Sequence, residues 1–289
     1  MLLFDQVPGS QTNQKIPFNC FITCTSSVNK VSLITVCFNS SATIRDTLES
    51  VVSQSYPYIE HIIIDGGSSD GTREIIEEYN PSITISEPDK GIYDAMNKGV
   101  KLASGDIIGI LNSDDILAHD NVISIVVQHF KNHSAENNLL DCVVGSLFFK
   151  DFETGRIMRF CDSSYWKPSY LKYGLMPPHT ACFVRKEVYK KCGLYSLEYK
   201  IAADYDLFIR WFLKSEISYT RTSEIFVHMR KGGVSTSGFK NKYILNKEVY
   251  KCLESNSINT NPFNFILKIP FKLYELIRVF YMKSSNNKL

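Results

Sequence analysis

The amino-acid sequence predicts an α/β protein built on a doubly wound, mostly parallel sheet, and three observations carry that expectation. Val31 to Phe38 (VSLITVCF) is a continuous, β-branched apolar run, the pattern of a strand buried on both faces. Strand-like and helix-like segments then alternate about every 20 to 25 residues as far as Leu111, which right-handed crossovers convert into parallel pairing. The 289 residues are 44% hydrophobic and 21% charged, enough apolar material for a large core and enough charge for solubility. A chain of this length holds about one or two domains, and one α/β unit with appendages accounts for it.

The elements follow in order from their patterns. After the first strand, Ser40 and Ser41 are candidate caps, and Ile44, Leu48, Val51 and Val52 fall at i, i+4, i+7 and i+8 of an amphipathic helix. His61 to Ile64 closes a second buried strand. Gly71-Thr72 opens a helix containing Ile75, Ile76 and Tyr79, and Ile83 to Ser86 reads as a short third strand. Ile92 to Ala103 has helical spacing through Ala95, Met96, Gly99 and Leu102, and Asp106 to Leu111 is a fourth strand. A helix over Val122 to Phe130 and a strand over Cys142 to Phe149 follow. From about residue 150 the alternation weakens, with strands expected near 157–161, 181–184 and 217–228 and helices near 186–191 and 204–214. Residues 31–261 therefore read as one domain, with 31–150 and 151–261 as its halves. Residues 1–30, rich in Ser, Thr, Asn and Gln, read as an N-terminal extension.

After Asn261-Pro262 the composition changes abruptly. Residues 262–289 hold Lys268, Lys272, Arg278, Lys283 and Lys288 against Glu275, a net +4. Lys268, Lys272 and Glu275 form a narrow polar stripe on an otherwise apolar segment, with Pro270 placed to start or kink its helix. This predicts an amphipathic basic helix lying in a membrane interface, or, on the other reading, one packed on the protein's own surface. No window approaches the ~18 apolar residues of a membrane span. Met1 to Phe4 is interrupted by Asp5 and Pro8 and is no secretory signal, so a cytoplasmic chain is expected. With 32 basic and 30 acidic residues, net +2, no overall field favours nucleic acid. The eight cysteines are dispersed without CxxC pairs, which removes a zinc ribbon and suggests buried free thiols in a reducing compartment.

In a doubly wound sheet, ligands bind beyond the carboxyl ends of the strands. Strand two runs into Asp65-Gly66-Gly67-Ser68-Ser69-Asp70-Gly71, where glycines permit close backbone approach and carboxylates can accept hydrogen bonds from a base or ribose. Strand four ends in Asn112-Ser113-Asp114-Asp115. Adjacent carboxylates repel unless a cation lies between them, and Mg²⁺ or Mn²⁺ shared with substrate phosphates meets that need. A solvated turn and a helix cap are the alternatives for these two loops. Neither GxxxxGKS/T nor a GxGxxG after the first strand is present, against a P-loop NTPase or a dinucleotide oxidoreductase and in favour of phosphates held by metal.

Five segments in order, VSLITVCFN, IIIDGGSSDGT, EPDKGIYDAMNKGVKLASGDIIGILNSDD, PPHTACFVRKEVYKKCGLY and AADYDLFIRW, resemble the family 2 inverting glycosyltransferases of the GT-A fold, a Rossmann-like architecture, especially those of bacterial surface polysaccharide, O-antigen and capsule synthesis. The resemblance runs from Val31 to Ser237. It implies that Phe38, Asn39 and Asp65 contact the base and ribose of a nucleotide sugar, and that Asp89, Lys90, Asp94, Asn97 and Lys98 lie beside the donor sugar. Asp114, the second acid of the family's Asp-x-Asp signature, would ligate the metal with Asp115 beside it. Asn112 stands where that signature has its first acid. The family's Glu-Asp pair is Ala203-Asp204 here, which leaves Asp204 as the general base.

Inverting transfer needs one carboxylate in reach of the acceptor hydroxyl, to take its proton as the oxygen attacks the anomeric carbon. Asp204 is the candidate, against a reading as cap of a helix over Tyr205 to Leu213. His228, 24 residues further on and near where the resemblance implies a third metal ligand, is either that ligand or structural. His228, Arg230 and Lys231 are cations for the leaving diphosphate, ahead of Gly232 to Ser235, which resembles the family's closing loop. His179 has no derivable role beyond a buried hydrogen bond, and Trp211 belongs to the core. The expected function is a Mn²⁺- or Mg²⁺-dependent glycosyltransferase moving a sugar, UDP-linked, to a lipid-linked undecaprenyl diphosphate acceptor, peripheral on the cytoplasmic face of the inner membrane. The rivals are a nucleotidyltransferase, which lacks its phosphate loop here, and a catalytically silent scaffold subunit, which Asp114 and Asp204 disfavour.

Overall fold

The computed structural model describes residues 29–135, 139–230 and 238–261, with 268, 270, 273–275 and 277 of the C-terminal stretch. Residues 1–28, Lys231, the expected closing loop and most of the tail lie outside the described residues. The first half alternates as its pattern predicts: β1 (Val31–Cys37), α1 (Ile44–Val52), β2 (Ile59–Asp65), α2 (Thr72–Glu78), β3 (Ile83–Ser86), α3 (Ile92–Leu102) and β4 (Ile107–Asn112). These strands lie in the order β3-β2-β1-β4, all parallel. The chain thus fills one side of β1 and then crosses to the other, creating a switch point at the carboxyl ends of β1 and β4.

The second half is mixed. It comprises β5 (Asp115–Leu117), α4 (Val122–Ala135), β6 (Cys142–Lys150), β7 (Ile157–Cys161), β8 (Cys182–Arg185), α5 (Lys186–Cys192), α6 (Ala203–Ile209), β9 (Tyr219–Arg230) and α7 (Gly238–Ser255). β8 runs antiparallel to both β4 and β6, β6 runs parallel to β9, and β5 closes the far side antiparallel to β9. β6, which ends at the expected boundary at residue 150, pairs with β7, β8 and β9 and so organises the later strands. The helix expected over 204–214 is α6 followed by a π-helical turn at Arg210–Lys214. β5 and α7 were not foreseen.

Every residue of β1 is buried, as its unbroken apolar run requires. Ile34 and Val36 point into one core layer with Ile62, Ile64, Ile108, Ile110 and α3, while Val31 and Leu33 point into the opposite layer with Ile107, Leu111 and α4. α3 lies close on β1 because Gly99 faces Ile34, and a Cβ there would collide with that side chain. Trp211 is 1% exposed among Tyr189, Phe208 and Phe212, as expected of a core residue. All six described cysteines are free thiols; Cys37, Cys142, Cys161, Cys182 and Cys252 are buried. Burial pushes the Cys161 thiol up to about 12 and those of Cys37 and Cys252 higher still. No described helix is long and apolar enough to cross a membrane.

Candidate active site

Hydrogen bonds lock the loops at the switch point together. Ser40, after β1, shares a hydrogen bond with Ser113, after β4 (Oγ to Oγ 2.8 Å). Asn39 adopts φ +47°, the left-handed region asparagine tolerates, and its Oδ1 accepts from Ser69 N at 3.0 Å. Asp65 is fully buried and accepts from Ser68 N, Ser68 Oγ and, at 2.5 Å, Ser86 Oγ. Burial would raise its carboxyl, yet these hydrogen bonds outweigh it and hold the group below its usual range. The loop after β2 is therefore a built structure rather than a solvated turn, and the Asp65 carboxylate is spent on shaping it.

Phe38, 62% exposed, presents its ring at the mouth of this cluster. Gly66 is wedged beside it: a Cβ there would stand 2.7 Å from Asp89 Oδ2 and 3.3 Å from the Phe38 ring, so a side chain at this position would push the Asp89 carboxylate aside. Asp89 Oδ1 accepts from Gly91 N and Asp94 Oδ2 from Lys90 N, fixing the turn that opens α3. Lys98 bridges to Glu87 at 2.8 Å and to Pro88 O. Asn97 is not at the mouth. It is buried and clamps the backbone of Tyr195, donating to its carbonyl and accepting from its N–H at 2.9 Å each. Phe38, Asp89, Lys90 and Asp94 thus share one rim, while Asp65, Asn97 and Lys98 brace it.

At the end of β4, Asn112 Nδ2 donates to Asp115 Oδ2 at 3.0 Å, leaving Asn112 Oδ1 and Asp115 Oδ1 buried without hydrogen-bond partners. Asp115 begins β5, not a helix, so it caps nothing. Burial and the neighbouring Asp114 push its carboxyl well up; burial also raises Asp114, which Arg230 offsets. Unclaimed buried oxygens beside two carboxyls that resist joint ionisation fit Mg²⁺ or Mn²⁺ held by one or two carboxylates together with substrate phosphates. His228 does not complete a cage. Its ring stacks against Phe148, and burial together with Lys150 and His119 lowers its pKa, a cationic setting rather than an acidic one. Among the described residues no three His, Cys, Asp or Glu side chains are grouped to hold a metal. Arg230 pairs with Asp46 of α1 and lies 4.1 Å over the Phe152 ring.

Asp204 sits inside the first turn of α6; Ala202 is the cap residue and makes no side-chain cap hydrogen bond, so the capping alternative does not describe Asp204. Its Oδ1 accepts from Tyr205 N at 2.8 Å and from Tyr93 Oη at 3.3 Å. Burial pushes its carboxyl up to about 6, the charge of Glu248 adding to the rise and the two hydrogen bonds opposing it. That is a carboxylate both ionised and basic near neutral pH, as general-base work requires. Beneath it Tyr93 stacks on Tyr195, whose hydroxyl meets His179 Nε2 at 2.6 Å. Burial lowers His179 to about 4, so it is neutral and buried-bonded. Tyr93, Tyr195 and Glu248 escaped the sequence reading. Tyr93 lies between the singled-out Asp89 and Asp94 and could have been found there; Glu248 carries no local signal.

Residues 32–193, more than half of the chain, match the family model "Glycosyl transferase family 2". The chain belongs to glycosyl transferase family 2. This family 2 glycosyltransferase is 33% identical over 188 residues to an uncharacterized glycosyltransferase of Mycobacterium tuberculosis, covering 64% of this chain and 70% of that one. It is 28% identical over 229 residues to the PGL/p-HBAD biosynthesis glycosyltransferase of Mycobacterium bovis, covering 77% and 83%. Among solved structures, S. aureus TarS 1–349 in complex with UDP-GlcNAc superposes with a TM-score of 0.61 at 18% identity, over 78% of this chain and 66% of that one. Of a longer TarS chain only 39% is covered. The mannosyltransferase PcManGT from Pyrobaculum calidifontis, in complex with GDP-Man and Mn²⁺, gives 0.59 at 15% identity over 89% and 75%. The fold of this family 2 glycosyltransferase is GT-A.

Proposed function

We propose that this family 2 glycosyltransferase inverts configuration, depends on Mn²⁺ or Mg²⁺, and moves a sugar from a UDP-linked donor to a saccharide on an undecaprenyl diphosphate carrier in surface polysaccharide assembly. The observation that carries the reading is Asp204, a half-buried carboxylate raised to about 6 and bonded to Tyr93 in the first turn of α3, the helix that opens just after Asp89. Asp204 takes the proton of the acceptor hydroxyl as its oxygen bonds to the anomeric carbon, and the bond to the nucleoside diphosphate breaks on the opposite face of the sugar. Asp114, with Asp115 beneath it, would hold the divalent cation, which when bound supplies positive charge to the departing diphosphate. Arg230 adds a cation on the same side of β5, and Phe38 offers a ring for the base.

The TarS complex with UDP-GlcNAc and the PcManGT complex with Mn²⁺ support a nucleotide-sugar donor and a divalent metal. The relative named a PGL/p-HBAD biosynthesis glycosyltransferase supports sugar transfer in a biosynthetic context. The basic, apolar tail supports a peripheral location on the cytoplasmic face of the inner membrane. The test is incubation with Mn²⁺, a short-chain lipid-diphosphate saccharide and a panel of nucleotide sugars, read by product mass and by NMR of the new linkage. One donor should give a product of inverted anomeric configuration. Retention, or full turnover in EDTA, would overturn the reading.

A further inference from the structure

The residues just before α6 have no side-chain cap of their own, yet three of their backbone N–H groups converge on one carboxylate. Glu248 of α7 accepts from Lys200 N at 2.9 Å, Ile201 N at 2.8 Å and Ala202 N at 3.0 Å. Cys252 on the next turn of α7 and Asn256, just past its end, hold the same element. Cys252 Sγ contacts Ala202 O at 3.6 Å, and Asn256 Nδ2 donates at 2.8 Å to Asp206, which in turn pairs with Arg210 at 2.9 Å. Asp204 is two residues beyond this grip. α7 lies outside residues 32–193, which match the family model.

We propose that Glu248 is a positioning residue for the general base: its carboxylate fixes the Lys200–Ala202 backbone and with it the place of Asp204 two residues on. The proposal rests on Asp204 being the base. A carboxylate suits this task because it has acceptor sites for three converging N–H groups, whereas a glutamine offers one oxygen and turns an NH₂ toward the donors. Among the described residues, the titratable groups that act on Asp204 or feel its charge include Tyr93 from α3, Tyr195 ahead of α6, and Glu248 and Cys252 from α7, with Asp206 two residues further along α6 itself. Of these, Asp206 and Glu248 are the acids, and Asp206 is engaged by Arg210 and Asn256. Among the described residues no ion pair engages Glu248, and its charge favours the protonated form of Asp204.

The experiment measures kcat/KM against pH for the full-length wild type, Glu248→Gln, Glu248→Asp and Asp204→Asn. Glu248→Gln should lower kcat about tenfold and move the acid limb to lower pH, with donor KM unchanged. Glu248→Asp keeps the charge but shortens the reach, so its acid limb should stay in place while kcat falls. A merely structural Glu248 would lower the melting temperature and the active fraction without moving the limb, and that result overturns the proposal. If Glu248→Gln does not fold, Glu248→Asp decides alone, because an unchanged kcat in it also overturns the proposal. Asp204→Asn separates the two levels: an active Asp204→Asn sinks the base assignment itself, whereas an inactive one alongside an unshifted Glu248→Gln profile sinks only the role of Glu248.

Discussion

The Tyr93 hydroxyl stands 2.5 Å from Ile201 O and 3.3 Å from Asp204 Oδ1, so a side chain of α3 is bonded both to the Asp204 carboxylate and to the backbone that carries it. The parallel first half of the sheet and the mixed second half therefore meet at one phenol. Since a donated hydrogen bond favours the ionised carboxylate, Tyr93 and Glu248 push the proton affinity of Asp204 in opposite directions.

Tyr93→Phe should raise the titration of Asp204 above its value of about 6 and move the acid limb of kcat/KM to higher pH. The loss of the bond to Ile201 should cost about 1 kcal/mol, seen in urea denaturation. A limb that stays in place, or moves down, would contradict the bond's role.

Asp204→Asn should reduce transfer by about 10²-fold or more while leaving donor binding intact by calorimetry. It should also stabilise the protein. An acid whose folded value is about 6 against 3.8 opposes folding once ionised, so the penalty is absent below 3.8, grows as pH rises through 6, and is constant above. The variant should melt above wild type at neutral pH, the gap closing as pH falls through 6 toward 3.8. A variant less stable at neutral pH would mean that the Asp204 carboxylate is a structural asset.

Asp114→Ala should abolish turnover and the response to added Mn²⁺, with a melting temperature close to wild type because Asp114 is partly exposed and the Asn112–Asp115 bond survives. Mn²⁺-dependent quenching of tryptophan fluorescence in the presence of UDP gives a readout independent of turnover. Quenching that persists in the variant would place the cation elsewhere.

Removing residues 262–289 should release the protein from anionic liposomes and leave transfer to a short-chain soluble acceptor intact. Each basic residue near such a surface contributes on the order of 1 kcal/mol. The tail also touches the domain, through Glu275 to Arg159 at 3.4 Å and Lys268 to Asn246 at 3.3 Å, while Leu273, Tyr274 and Ile277 remain exposed. If the truncated protein melts early instead, those contacts are its purpose.

The parallel half of the sheet was legible because each strand is a self-contained apolar run between turn residues: Val31–Cys37 and Ile83–Ser86 were placed within a residue of their observed ends. β5 was not, because three residues directly after Asn112-Ser113-Asp114 take their strand character only from pairing with β9. α7 was missed because lysines interrupt its apolar spacing and its buried face is polar in part, with Glu248 and Asn256 serving hydrogen bonds. Asp114, Asp204 and Phe38 stand at strand ends and helix starts, where position alone flags chemistry. Asp65 and Asn97 were singled out in the same way, but that their side chains brace the loop after β2 and the Tyr195 backbone is set by where their oxygens and nitrogens find partners, which no local pattern reveals.

Because Cys252 is sealed against Ala202 with its thiol strongly disfavoured from ionising, a maleimide or a disulfide reagent can reach it only when α7 lifts from α6. The rate of its modification, followed by peptide mass, is therefore a clock for that separation. Slowing of the clock on addition of donor or acceptor would reveal which substrate tightens the grip on Asp204, with no need to observe turnover at all.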